Sequence, residues 1–174
     1  MMAMASARGK VGEAPGTGDS EKTMLVRKIP DGTVIDHIAA GKALSVLRLL
    51  GKPQENGFTI ALVMNVTSSK MGRKDILKVE GMELSQEQVQ RLALIAPRAS
   101  VNIVRSYKVV AKRNVIPPRT LRAVLSCTAT TCVSVREKDS APSIFFLSGR
   151  SPLRYRCKYC GREVDEKEIT SQLG

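Results

Sequence analysis

Four cysteines, all in the last third of the chain, are spaced Cys127-x4-Cys132 and Cys157-x2-Cys160, with residues 133–156 between the pairs. Two short Cys loops on either side of a small β-segment bring four thiolates around one tetrahedral zinc ion with little backbone strain, and no other cysteine competes for a place. The alternative is two disulfides. That requires an oxidising compartment, and the sequence opens without an apolar secretory segment leading to one. Gly161, directly after Cys160, can take the positive φ that turns the chain back around a metal. Four thiolates leave no open coordination position, so the expected zinc is structural.

Four thiolates and one zinc carry a formal charge of about minus two, and Arg154, Arg156, Lys158 and Arg162 are close enough in sequence to offset it. In Leu153-Arg154-Tyr155-Arg156-Cys157-Lys158-Tyr159, apolar or metal-facing residues alternate with basic ones, the period of a strand with one wet face. At 174 residues the chain suits one medium domain or two small ones, and the confinement of cysteine to one end favours two. The expected division is a disordered leader over 1–22, a first domain over 23–112, a linker over 113–118 and a zinc domain over 119–174. The last is small enough that metal binding would contribute much of its folding free energy.

The net charge of +12 invites a nucleic-acid reading, but the excess is spread along the chain without a run of five or six like charges. Phe, Tyr and Trp make up 3% of residues, too few for a base-stacking platform. A diffuse positive field attracts any polyanion, nucleoside triphosphates included. No apolar stretch is long enough to span a membrane, and a cytoplasmic location is expected.

From Met24 the pattern becomes regular. Met24–Lys28 and Thr33–Ile38 read as extended, separated by the turn dipeptide Asp31-Gly32. Ala43 to Leu50 reads as a helix stopped by Gly51 and Pro53. Phe58–Val66 and Asp75–Val79 read as strands. Ser85 and Gln88 form a capping box that opens a helix ending at Pro97, and Ser100–Val104 with Tyr107–Ala111 reads as a strand pair. The order strand, helix, strand, strand, helix, strand, with one strand added, is the split βαβ pattern of a ferredoxin-like sandwich. The fold class is therefore α+β: an antiparallel sheet with two helices, followed by a small all-β zinc-binding domain.

Catalysis has little to work with in this sequence. His37 is the one histidine, there is no nucleophile elbow or phosphate-cradling loop, and the cysteines are committed. A non-enzyme is expected. On a strand through Arg73–Glu80, Lys74 and Lys78 share a face about 13 Å apart, a span that suits a nucleotide with Lys112 meeting its phosphates. The same lysines also read as the wet face of an antiparallel sheet, and Asp36-His37 as a local hydrogen-bonding pair.

The chain resembles the regulatory chains of aspartate carbamoyltransferase, non-catalytic subunits in pyrimidine biosynthesis. The resemblance rests on Gly32-Thr33-Val34-Ile35-Asp36-His37-Ile38, Met71-Gly72-Arg73-Lys74-Asp75-Ile76-Leu77-Lys78, Leu92-Ala93-Leu94-Ile95-Ala96-Pro97, Ser100-Val101-Asn102 and the four-cysteine spacing with Lys158-Tyr159 inside the last pair. It implies an N-terminal allosteric domain that binds ATP, CTP and UTP and forms a regulatory dimer. It also implies a zinc domain that docks on the catalytic chains. By position it implies nucleotide contacts at Asp36, His37, Lys74, Lys78, Asn102, Tyr107, Val109 and Lys112. Asp36 and Lys78 would serve ribose and base edge, Lys112 the phosphates with His37 near them, and Val109 the backbone contacts to the base.

Two segments depart from the family. Cys127-Thr128-Ala129-Thr130-Thr131-Cys132 lacks the asparagines common there, which implies different contacts to the catalytic partner. Arg27-Lys28-Ile29-Pro30-Asp31 also differs, which bears on effector preference. The rival reading is a zinc-ribbon nucleic-acid binder using the basic strand from Arg154 to Lys158. A stand-alone nucleotide-sensing adaptor is a third.

Overall fold

The computed structural model describes residues 27–136 and 141–173. The expected leader and residues 24–26 lie outside the described residues, and Arg27 to Ile29 join no strand.

The first unit runs β1 (Gly32–Ala39), α1 (Ala43–Leu49), β2 (Ile60–Ser68), β3 (Gly72–Glu80), α2 (Gln86–Ile95), β4 (Ser100–Arg105) and β5 (Lys108–Asn114). The strands form one sheet in the order β2-β3-β1-β4-β5, with every neighbouring pair antiparallel. This is the split βαβ arrangement with β5 added at an edge. One face of the sheet, through Ile35, Ile38, Leu77, Val79 and Val101, packs on Ala43 and Val46 of α1 and on Leu92, Ala93 and Ile95 of α2. The capping box forms in both directions: the Gln88 amide donates to Ser85 Oγ (3.2 Å) and the Ser85 amide to Gln88 Oε1 (2.9 Å). Gly51 ends α1 at φ 79°. The β5 ladder continues through Asn114, which pairs with Ser100, so the sheet reaches into the start of the expected linker.

The second unit runs β6 (Thr120–Arg122), the single helical turn α3 (Val133–Arg136), β7 (Ile144–Arg150), β8 (Leu153–Cys157), β9 (Glu163–Asp165) and α4 (Glu166–Leu173). Its sheet order is β6-β7-β8-β9, around Phe145, Leu153, Tyr155, Val164 and three of the cysteines, Cys127, Cys132 and Cys157. The β reading holds for the sheet, and α4 is an addition to it. Asp165 caps this helix: its Oδ1 accepts the Lys167 and Glu168 amides (2.9 and 2.8 Å), and Ile169 is fully buried. Ile169 and Leu173 are its two apolar anchors, one helical turn apart, and two such residues among charges and Ser/Thr give only a short stretch of periodicity to read.

The units share a boundary. Leu92 to Ala96 are all buried, which a one-faced helix cannot achieve. Leu92, Ala93 and Ile95 face the first sheet, while Leu94 enters the core of the second unit. Tyr155 donates its hydroxyl to the Pro118 carbonyl at 2.7 Å, and burial pushes that phenol up to about 12.

Candidate functional site

The sheet face opposite the helices is built by register. Lys78 pairs with Val34, Val34 with Asn102, and Asn102 with Lys112. One row therefore crosses β3, β1, β4 and β5, and at about 4.8 Å per strand it spans roughly 14 Å. Asp75, Leu77 and Val79 fill the buried alternation of β3, leaving Lys74, Ile76 and Lys78 on the open side.

Bulges aim the other polar groups. In β1, Ile35 and Ile38 both enter the core although three residues apart, because the register shifts between them. The extra residue turns Asp36 and His37 outward together, with His37 at φ 60°. In β5, the shift opposite Ile103 and Val104 leaves Val109 paired with Val104 and Lys112 with Asn102. Val109 and Lys112 thus share the open face, which regular alternation would forbid. Tyr107 sits in the β4–β5 turn, not in the strand. Ser106 and Tyr107 both have positive φ, the two-residue hairpin geometry, and their amides donate to Asp31 Oδ1 (3.1 Å) and the Pro30 carbonyl (2.8 Å). Tyr107 and Val109 are each 61% exposed, apolar surface available to a flat partner.

Contacts divide the polar residues into two groups. Lys74 Nζ meets Asp36 Oδ1 at 2.7 Å, His37 Nδ1 lies 3.3 Å from Asp36 Oδ2, and the His37 amide donates to Asp36 Oδ1 at 2.7 Å. Burial pushes the Asp36 carboxyl up. The Lys74 hydrogen bond, the His37 amide and the positive charges more than offset this and hold it below its ordinary value. Burial holds the Lys78 ammonium below the usual lysine range, and Lys78 donates to the Arg27 carbonyl at 2.9 Å. Asn102 donates to the Val34 carbonyl at 3.3 Å. Lys112 has no ion pair among the described residues. Beside it lies a cleft of about 500 Å³ lined by His37, Lys70, Arg98, Ser100, Lys112 and Asn114.

Asp75 supports this face from behind. Fully buried, it accepts three backbone amides: Gly41 (2.8 Å), Ala43 (3.1 Å) and Asn65 (2.8 Å). It thereby joins the start of α1 to the β2 bulge, directly beside Lys74. No motif in the sequence assigns Asp75 a role. The available signal is its parity with Leu77 and Val79, which places a carboxylate on the core side.

The second site is the cysteine cluster. The four Sγ atoms lie within 4.8 Å of one another, with Cys127 to Cys160 at 3.5 Å and Cys132 to Cys157 at 3.8 Å. All four are free thiols, so the disulfide alternative is not what the chain forms here. A regular tetrahedron with metal–sulfur bonds of about 2.3 Å has edges of about 3.8 Å, so the donor set fits one tetrahedral ion. Gly161, at φ 74°, donates its amide to the Cys157 carbonyl at 3.1 Å and closes the second loop. Burial pushes the Cys127 thiol up to about 12, while the Ser134 hydroxyl, 3.2 Å from Cys132 Sγ, brings Cys132 down to about 7. A cation among them is what would let all four act as thiolates together.

Three of the four basic residues near this cluster are taken up by carboxylates, whereas Lys158 has no ion pair among the described residues. Tyr155 and Cys157 point inward on β8 while Arg154 and Arg156 point out, where both meet Glu163 (3.6 and 2.9 Å). Arg162 meets Glu168 at 3.1 Å. These pairs also weaken the basic strand as a phosphate-binding surface.

Comparison with known proteins gives the same two units. A family model described as "Aspartate carbamoyltransferase regulatory chain, allosteric domain" matches residues 24–116, and one described as "Aspartate carbamoyltransferase regulatory chain, metal binding domain" matches residues 119–170. Among similar proteins named aspartate carbamoyltransferase regulatory chain, that of Korarchaeum cryptofilum is 48% identical over 153 residues, covering 88% of this chain and 98% of its own. That of Hyperthermus butylicus is 46% identical over 155 residues (89% and 97%). That of Thermococcus kodakarensis is 47% identical over 152 residues (87% and 99%).

Proposed function

This chain belongs to the family of aspartate carbamoyltransferase regulatory chains, with the family's allosteric and metal-binding domains, and from that premise we propose that it is a non-catalytic subunit acting in pyrimidine biosynthesis, with ATP, CTP and UTP as effectors. The nucleotide lies across the open sheet face. Lys78 and Asn102 serve base and ribose beside the apolar Tyr107 and Val109, and Lys112 and His37 meet the phosphates. Asp36 and Lys74, bound to each other, fix the β1 bulge and complete the ribose side. The observation that supports this reading is the single register row from Lys78 to Lys112, which puts cations at both ends of a nucleotide-length surface.

The cysteine domain holds one structural zinc through Cys127, Cys132, Cys157 and Cys160. The ion fixes the 128–131 loop and α3, which present Val133 and Val135 as exposed apolar side chains for docking on the catalytic chains. Two regulatory chains pair through their allosteric domains, and the assembly is cytoplasmic. Effectors act by linkage: a nucleotide changes output to the extent that it binds two quaternary states with different affinity, usually by about 1–3 kcal/mol.

Titration calorimetry of the purified chain with ATP, CTP and UTP tests the nucleotide face. Saturable binding of mononucleotides that weakens by about tenfold or more in Lys112→Ala supports the reading. Binding only to nucleic acid, falling steeply with salt, contradicts it.

A further inference from the structure

The cleft beside Lys112 contains more positive charge than the resemblance assigns to it. Of its polar lining, His37 and Lys112 belong to the expected site, whereas Lys70, from the β2–β3 turn, and Arg98, from the α2–β4 connection, do not. Ser100 and Asn114 add neutral hydrogen-bonding groups, and among the described residues no carboxylate lines the cleft. Lys70, Arg98 and Lys112 are all exposed, and none has an ion pair among the described residues. Elsewhere on this domain cations do find carboxylates: Lys74 takes Asp36, Lys52 takes Glu55, Arg91 takes Glu87 and Arg105 takes Glu83. Arg98 also borders the groove that contains Glu166, but Lys42 already occupies that carboxylate. At about 500 Å³ the cleft is within the roughly 300–1,000 Å³ of small-molecule sites.

Three cations without an ion pair among the described residues, with an imidazole, around one cavity make a field that favours several closely spaced negative charges over one. A polyphosphate chain has that charge pattern. Lysine can meet a phosphate as a point charge and arginine as a two-pronged donor. The positions fit an extended ligand, since Lys112 ends the register row and Lys70 and Arg98 come from separate loops around the cleft beyond it.

We propose that Lys70 and Arg98, together with His37 and Lys112, bind the terminal phosphates of a nucleoside triphosphate, and that these two residues set the preference for triphosphates over monophosphates. The proposal rests on the nucleotide reading of the open sheet face. Lys112 and His37 take the phosphate nearest the ribose, and Lys70 and Arg98 close on the outer phosphates.

The test is titration calorimetry of the full-length, metal-loaded chain with ATP, ADP and AMP, for the native sequence and for Lys70→Ala, Arg98→Ala, the double variant and Arg98→Lys. Each alanine variant is expected to lose about tenfold in ATP affinity while AMP affinity stays within about twofold, so AMP binding doubles as the folding control. Arg98→Lys should keep most of the ATP affinity. Inorganic tripolyphosphate should displace ATP from the native chain and compete about tenfold less well for the alanine variants. An unchanged ATP-to-AMP ratio in the double variant overturns the proposal, as does an equal loss of both ligands. A folded native chain that binds none of the three nucleotides overturns the nucleotide face itself, and the proposal with it.

Discussion

Lys42, at the N-cap of α1, forms an ion pair with Glu166, the first residue of α4, and so links the allosteric and metal-binding domains across 124 residues of sequence. The two side chains remain 25% and 32% exposed, and pairs that wet contribute about 0–1 kcal/mol. Leu94, buried in the core of the other domain, holds the same boundary more strongly. Glu166→Gln is expected to lower stability by less than about 1 kcal/mol, and Leu94→Ala by about 2–5 kcal/mol. Urea denaturation followed by tyrosine fluorescence checks both, and equal small losses would show that the boundary is held elsewhere.

Gly32 has no room for a side chain. It sits at φ 132°, and an added Cβ would fall 2.2 Å from the Val79 carbonyl oxygen. Backbone strain of this kind costs about 1–3 kcal/mol before any displacement of β3. Gly32→Ala should therefore destabilise the first domain by at least about 2 kcal/mol in thermal unfolding, while Gly41→Ala, also at positive φ but with nothing within 4 Å of an added Cβ, should cost less.

Asp75 is expected to matter more for stability than any surface carboxylate. Asp75→Ala strands three amides that the carboxylate now accepts, at about 1–3 kcal/mol for each one left buried and unpaired. Denaturant titration should show a loss of several kcal/mol together with weakened nucleotide binding, because the β2 bulge and the start of α1 lose their common anchor. A loss below about 1 kcal/mol would mean that water replaces the carboxylate without strain.

Asp36 supplies a signed pH prediction. Its carboxyl is held below the ordinary value in the folded chain, so its contribution to stability is present above the unfolded value and is lost as pH falls through the folded one, below about pH 4. Lys74→Met removes the opposing cation but leaves the burial that pushes the carboxyl up. The Asp36 titration, followed by carboxyl-carbon NMR, should move upward, and the acid limb of the stability curve should move with it. No change on Lys74→Met would show that the His37 amide alone governs the group.

Much of the first domain was legible because periodicity and caps agree. The Ser85–Gln88 box, the Gly51 stop and the alternation in β3 each specify their element locally. The bulges were not legible. Under strict alternation, Asp36 and His37 belong on opposite faces, as do Val109 and Lys112, and only the pairing with β3 and β4 puts each pair on one face. The convergence of Lys70 and Arg98 was not legible either, since separate loops bring them to the cleft and no spacing announces it. In the second domain the cysteine spacing predicted the cluster directly, whereas the partners of Arg154 and Arg156 depended on β9 folding back beside β8.

Metal content, followed through chelation, bears hardest on the whole reading. About one zinc per chain is expected by elemental analysis. Chelation is then expected to unfold residues 119–173 while β1 to β5 keep their amide resonances in heteronuclear NMR, because four clustered sulfurs hold a core too small to fold alone. A chain purified without metal, or one whose metal-binding domain keeps its resonances after the ion is removed, would refute it.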